Sequence, residues 1–265
     1  MPSGYSFDAS WEGERARLAR IESWLDPHSI RVFEELGVQP GWRCLDVAAG
    51  GGSMTQWLCE RVGPRGSVVA VDADTRFVEK LGAPNLEVWR ADVVQEPLPE
   101  DAFDLVHTRF LLQHLAEREQ VLAKLARALK PGGLLIVFDS GGAPPLAPPT
   151  LSPEDRNRFD RFTFAFLGAA AQSGWDLTWA PNLPFRLTAL GLGEVRARAF
   201  REYVSGSQPG FPEFMATSIE RLRERLIATG HVTAADLEIV IASLRDPLGA
   251  MITFECWVAS GRRPA

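Results

Sequence analysis

Lysine is nearly absent from this chain. It occurs only at Lys80, Lys124 and Lys130, and the other basic residues among the 28 are arginine. They form no basic block, and the net charge is −6. That combination excludes a surface built for nucleic acid or for an anionic membrane. Cysteine is scarce and odd in number: Cys44, Cys59 and Cys256 all lie in apolar settings. They read as reduced packing residues, with no disulfide framework and no metal-ligand spacing, so no metal is expected. No apolar run is long enough to cross a bilayer. The first ten residues hold no apolar run either, so no signal peptide is expected and the chain reads as cytoplasmic.

What remains is a 265-residue chain of ordinary apolar content, long enough for a sizeable core. From Arg43 to Ser140 short apolar runs alternate with helical patterns. Residues 43–47, 67–71, 86–90, 103–107 and 134–139 are strand-like. Residues 53–62, 75–81, 109–115 and 117–129 are helix-like. Several strands lack polar alternation, as expected when helices cover both faces of a parallel sheet. The pattern predicts an α/β, Rossmann-like, doubly wound sheet. Lys130-Pro131-Gly132-Gly133 reads as a helix stop and turn before the fifth strand.

Around that core, residues 5–36 carry helical periodicity. Residues 143–150 are Pro-rich and irregular. Ser152 then opens a helix as its N-cap, with Pro153 in the first turn. Residues 194–203 and 251–260 are strand-like and can pair as the antiparallel end of the sheet. Residues 211–229 and 233–244 read as a helical pair between them. The expected division is an N-terminal helical lid at 1–39, a core at 40–142, a helical cap with the sixth strand at 143–250, and a final strand and tail at 251–265. The completed sheet has seven strands, the last antiparallel.

The densest signal is Leu45-Asp46-Val47-Ala48-Ala49-Gly50-Gly51-Gly52-Ser53. A strand ends in an acid and runs into a loop nearly without side chains, followed by a helix. Such a loop lets a ligand approach the backbone, and the helix start offers unpaired N–H groups. Asp72 closes the second strand, where a carboxylate can accept from both ribose hydroxyls. Asp92 follows the third, where it can accept from a purine amine while Val93 lies on the ring. Asp46 suits a cationic amine better than a pyrophosphate. A nicotinamide dehydrogenase expects a third glycine where Thr55 stands.

These residues, together with Phe103-Asp104-Leu105-Val106 and Leu129-Lys130-Pro131-Gly132-Gly133, resemble the class I S-adenosylmethionine-dependent methyltransferases over roughly residues 40–140. The resemblance implies S-adenosylmethionine as cofactor. It places Ala48, Gly50 and Gly52 at the methionine end, Asp72 and its neighbour Ala73 at the ribose, and Asp92 with Val93 at the adenine. It places Thr108 near the amino-acid end. Ala48 departs from the family's first glycine and is tolerated if its φ is negative. The start Tyr5-Ser6-Phe7-Asp8, with Trp11 and Arg15, resembles the first helix of an actinomycete-like branch tied to small-molecule or secondary metabolism. There the first helix closes over the cofactor, which makes Tyr5, Trp11 and Arg15 lid residues, Arg15 facing the cofactor carboxylate.

Methyl transfer from a sulfonium needs a nucleophile held in line and water kept out. A general base serves a hydroxyl or an acidic carbon. His114 is the candidate base, Asp139 a second base or a substrate anchor, and Arg109 a partner for a carboxylate. Each also has a structural reading: a packing histidine, a buried acid and an ion pair. The cap's aromatics, Phe159, Phe162 and Phe166 at helical spacing and then Trp175, Trp179, Phe185, Phe211 and Phe214, are mostly core, with a minority lining an apolar cavity. The expected activity is methyl transfer to an O, N or C atom of a largely apolar or aromatic small molecule, by a monomer or homodimer. The alternatives are a non-methylating reaction such as cyclisation on the same fold, and a non-catalytic binding module.

Overall fold

The computed structural model describes residues 13–147, 151–208 and 210–265. Tyr5 and Trp11 lie outside them. The apolar runs of the core become parallel strands β1 (Arg43–Val47), β2 (Ser67–Asp72), β3 (Leu86–Arg90), β4 (Phe103–Arg109) and β5 (Leu129–Ser140). Two further strands, β6 (Gly193–Phe200) and β9 (Cys256–Arg262), complete a seven-stranded sheet in the order β3-β2-β1-β4-β5-β9-β6. β9 runs antiparallel to both its neighbours. The remaining strands, β7 (Tyr203–Ser205) and β8 (Ala250–Ile252), form a separate two-stranded sheet.

Alternate residues of each strand feed two cores. On one face, Cys44, Val68, Leu105 and Phe138 meet α1 (Glu14–Leu36), α2 (Ser53–Val62), α4 (Pro153–Gln172), α6 (Phe211–Ala228) and α7 (Ala234–Arg245). On the other, Leu45, Val69, Val106 and Val137 meet α3 (Arg118–Ala128) and α5 (Leu183–Ala189). Two-sided cover explains why the strands read as continuous apolar runs. The helix starts follow the sequence signals. Ser152 accepts from the Asp155 N–H at 3.1 Å, and Thr233 and Asp236 form a capping box.

Two expected helices shrink to single 3₁₀ turns, Val78–Leu81 and Leu112–His114. The second is short because Arg109 still belongs to β4 and Phe110 adopts φ +54°, outside the helical region. The Lys130–Gly133 turn falls inside β5. Gly132 N–H donates to Arg263 O, and Arg263 N–H donates to Gly133 O, so this stretch joins the ladder of the chain's last strand.

Candidate functional site

The site is built where β1 gives way to α2. Ala48, Gly50 and Gly52 all have positive φ, at +60°, +58° and +90°. The condition for an easily tolerated alanine at this position, a negative φ, is therefore not met. The turn imposes a left-handed backbone on an alanine, at a cost of about 1–2 kcal/mol. Gly50 N–H donates to Asp72 Oδ2 at 2.8 Å, and Asp74 N–H donates to Oδ1 at 2.9 Å. Those bonds lock the second strand's acid against the loop. Burial raises the Asp72 carboxyl above its ordinary range, and the two N–H donors oppose that shift.

Asp46 is buried beneath the loop. Its Oδ2 accepts from Thr55 Oγ1 at 2.6 Å, and its Oδ1 lies 2.8 Å from His107 Nδ1. Thr55, the residue that breaks a dinucleotide glycine pattern, thus holds the first strand's acid in place. Gly52 caps α2 and faces Leu81, whose Cδ1 a Cβ would meet at 2.9 Å.

A cavity of about 840 Å³ opens over this corner. One end is walled by Asp72, Ala73, Asp92 and Val93, and its floor by Asp46, Ala48 and Gly50. It continues past Arg109, Gln113 and His114 into a space lined by Phe166 and Trp175 on one side and Phe214 and Met215 on the other. Phe166 and Trp175 meet edge to face, with centroids 5.8 Å apart. Four expected residues are not on that wall. Gly52 faces Leu81. Thr108 is fully buried, pointing to the opposite face from His107 by strand alternation. Asp139 lies on that same opposite face. Arg15 reaches Glu22, at 2.8 Å, over the glycine loop.

His114 does not have the geometry of a free base. The Ser140 backbone N–H is only a donor, so the Gln113 oxygen it meets is fixed as Oε1, which also accepts from Ser140 Oγ at 2.9 Å. Gln113 Nε2 must then face His114 Nε2, 2.9 Å away, and donate to it. That bond occupies the Nε2 lone pair and leaves the proton on Nδ1. Burial, with Arg17 and Arg118 adding like charge, lowers the imidazole to about 4. His114 is neutral at neutral pH and weakly basic.

Asp139 accepts from Trp179 Nε1 at 2.9 Å, and burial raises its carboxyl to about 7. Its place at the end of β5 was legible; its face was not. Arg109 lies on the wall but is committed to Asp26 at 2.8 Å and Ser29 at 3.1 Å. Sequence reading also missed Glu22, which α1 brings to the loop, and the pairing of His107 with Asp46. Among the described residues, no group of three or more His, Cys, Asp or Glu is placed to hold a metal ion.

An open parallel sheet with its cavity at the carboxyl ends of β1, β2 and β3 defines a doubly wound cofactor-binding protein. Residues 45–137 match the family model described as a methyltransferase domain. The chain is 34% identical over 151 residues to the ubiquinone/menaquinone biosynthesis C-methyltransferase UbiE of Ectopseudomonas mendocina, over 53% of this chain and 56% of that relative. The chain thus spans just over half the length of the curated relatives it matches. Among solved structures, phosphoethanolamine N-methyltransferase 2 of Haemonchus contortus, in complex with S-adenosyl-L-methionine, superposes with a TM-score of 0.56 at 16% identity, over 98% of this chain and 62% of that one. The (4+2)-cyclase SpnF superposes with a TM-score of 0.52 at 18% identity, over 100% of this chain and 88% of that one. At these identities both likenesses concern the fold.

Over residues 45–137 the chain is thus similar to methyltransferase domains, and the cofactor that this likeness supports is S-adenosylmethionine. The residues present fit that group. Two acids on successive strands share one wall with the glycine loop. With no Cβ at Gly51 the Glu22 carboxylate packs against the loop backbone, and its buried Oε1 on the cavity wall has no hydrogen-bond partner.

Proposed function

We propose that this protein transfers the methyl group of S-adenosylmethionine to an O, N or C atom of a largely apolar or aromatic small molecule. The observation that carries the reading is the continuity of the cavity. One end has the acids and glycines of a nucleoside site, and the other is walled by Phe166, Trp175, Phe214 and Met215. The relatives' name as quinone-biosynthesis C-methyltransferases makes carbon the first acceptor atom to assay.

In this reading Asp72 accepts from the ribose hydroxyls with the lone pairs its two backbone bonds leave open. Asp92, whose Oδ1 accepts the Val94 N–H at 2.9 Å, turns its other oxygen to the adenine amine, and Val93 lies against the ring. Bound cofactor supplies an electrophilic methyl on a sulfonium. The aromatic walls exclude water and hold the acceptor in line behind that carbon. Transfer of that methyl would leave the bonding electron pair on sulfur and release the acceptor's proton to solvent. The neutral Gln113–His114 pair positions the acceptor by hydrogen bonding; no proton transfer is assigned to it.

The test combines binding and product mass. Calorimetry should show S-adenosylhomocysteine binding, weakened about 10- to 100-fold by Asp72→Asn. Quinol and phenol acceptors incubated with S-adenosylmethionine should gain one methyl group. An isomerised product of unchanged mass would show that the fold serves a non-methylating reaction here, and absence of binding would refute the reading outright.

A further inference from the structure

Glu22 is a buried acid with no part in the steps above. It sits on the face of α1 that crosses the glycine loop. Leu18 lies over Gly50, 3.6 Å from where its Cβ would be. Arg15 and Glu22 lie over Gly51, where an added Cβ would meet Glu22 Oε1 at 1.9 Å and Arg15 Nη1 at 2.4 Å. Glu22 is 8% exposed. Its Oε2 accepts from Arg15 Nη1 at 2.8 Å, while its Oε1 is buried without a hydrogen-bond partner.

Each oxygen of the neighbouring acids already has one partner. Both oxygens of Asp46 are engaged by Thr55 and His107, and both oxygens of Asp72 hold loop N–H groups. At Gly51, one carboxylate oxygen therefore waits for a donor beside a guanidinium that is half exposed. A buried anionic oxygen without a donor is costly, and native structures satisfy such groups.

We infer that Glu22, held by Arg15, is the receptor for the ammonium of an α-amino-acid end. Glu22 Oε1, on the cavity wall, accepts from the ammonium of the cofactor's amino-acid end, while Arg15, off that wall, fixes Glu22 through Oε2. The inference rests on the cavity being the S-adenosylmethionine site. An ammonium brings three donors to the Glu22 oxygen that lacks any. Hydrogen bonds between charged groups are the strong ones, so the acid contributes to tail recognition specifically.

The experiment compares two ligands on the full chain by calorimetry. S-adenosylhomocysteine carries the amino-acid end; 5′-methylthioadenosine has the same nucleoside and thioether without it. Glu22→Gln should weaken S-adenosylhomocysteine about 10- to 100-fold and leave 5′-methylthioadenosine unchanged. Arg15→Gln should act in the same direction by a smaller factor, because its side chain is half exposed. Unchanged S-adenosylhomocysteine affinity in Glu22→Gln overturns the assignment. Equal loss of both ligands also overturns it, since that marks a purely structural role for α1. If the wild-type chain binds both ligands equally, the adenosine site stands and the ammonium receptor falls. If it binds neither, the cofactor reading falls with it.

Discussion

His114 and Asp139 titrate in opposite senses across one pH window, and separating them is the sharpest available check on the geometry of the 110–115 turn. Burial, with Arg17 and Arg118, lowers His114 from 6.5 to about 4. Between those values the unfolded chain binds a proton that the folded chain does not, so this group's contribution raises stability as pH rises. Burial raises Asp139 from 3.8 to about 7. There the folded chain keeps a proton that the unfolded chain has lost, so this contribution lowers stability as pH rises. At about 1.4 kcal/mol per pKa unit, each contribution is on the order of 3–4 kcal/mol and the two nearly cancel. Asp139→Asn removes one, and His114→Gln the other. Guanidinium chloride unfolding across about pH 4 to 8 measures both variants against wild type. Asp139→Asn should gain on wild type as pH rises towards about 7, and His114→Gln should gain on wild type as pH falls towards about 4. Flat difference curves, or two curves of the same sign, would refute the burial assigned to these groups.

Ala48→Gly should stabilise the fold. Glycine relieves about 1–2 kcal/mol of left-handed strain and returns about 0.4–1 kcal/mol through the looser unfolded chain. The net gain of up to about 1.6 kcal/mol raises Tm by up to roughly 3–6 °C, and a lower Tm by scanning calorimetry would contradict the strained backbone. Gly51→Ala should instead leave Tm nearly unchanged and weaken S-adenosylhomocysteine, because the new methyl displaces the flexible ends of Glu22 and Arg15 and no backbone. A large Tm loss in that variant would mean that the loop itself cannot adjust.

The core was legible because its signals are local. β1, α2 and β3 fall where the apolar runs and the glycine loop put them, and β6 pairs antiparallel with β9 as their apolar pattern allowed. The Ser152 cap was likewise readable from adjacent residues. What escaped was decided by side chains meeting from distant elements. Asp46 does line the cavity floor, but its bonds to Thr55 and His107 carried no local signal. His114 was read as a base, yet a backbone N–H on β5 orients Gln113, and Gln113 fixes the imidazole. Asp139 ends its strand at the ligand edge, but strand alternation turns it to Trp179. Glu22 carries no local pattern at all, being an acid on an amphipathic helix until α1 folds over Gly51.

The place of β9 has a consequence for how the sheet is completed. Among the described residues, β6 hydrogen-bonds to no sheet strand except β9, and β9 follows the whole α6–α7 segment in the chain. Until Cys256–Arg262 inserts between β5 and β6, the strands from β3 to β5 can assemble while β6 cannot join them. Such long-range closure is slow because loop entropy must be overcome before pairing rewards it. A refolding chain should therefore pass through a state in which the nucleoside corner is formed and β6 is not, and adenosine-containing ligands would accelerate the early phase without touching the late one.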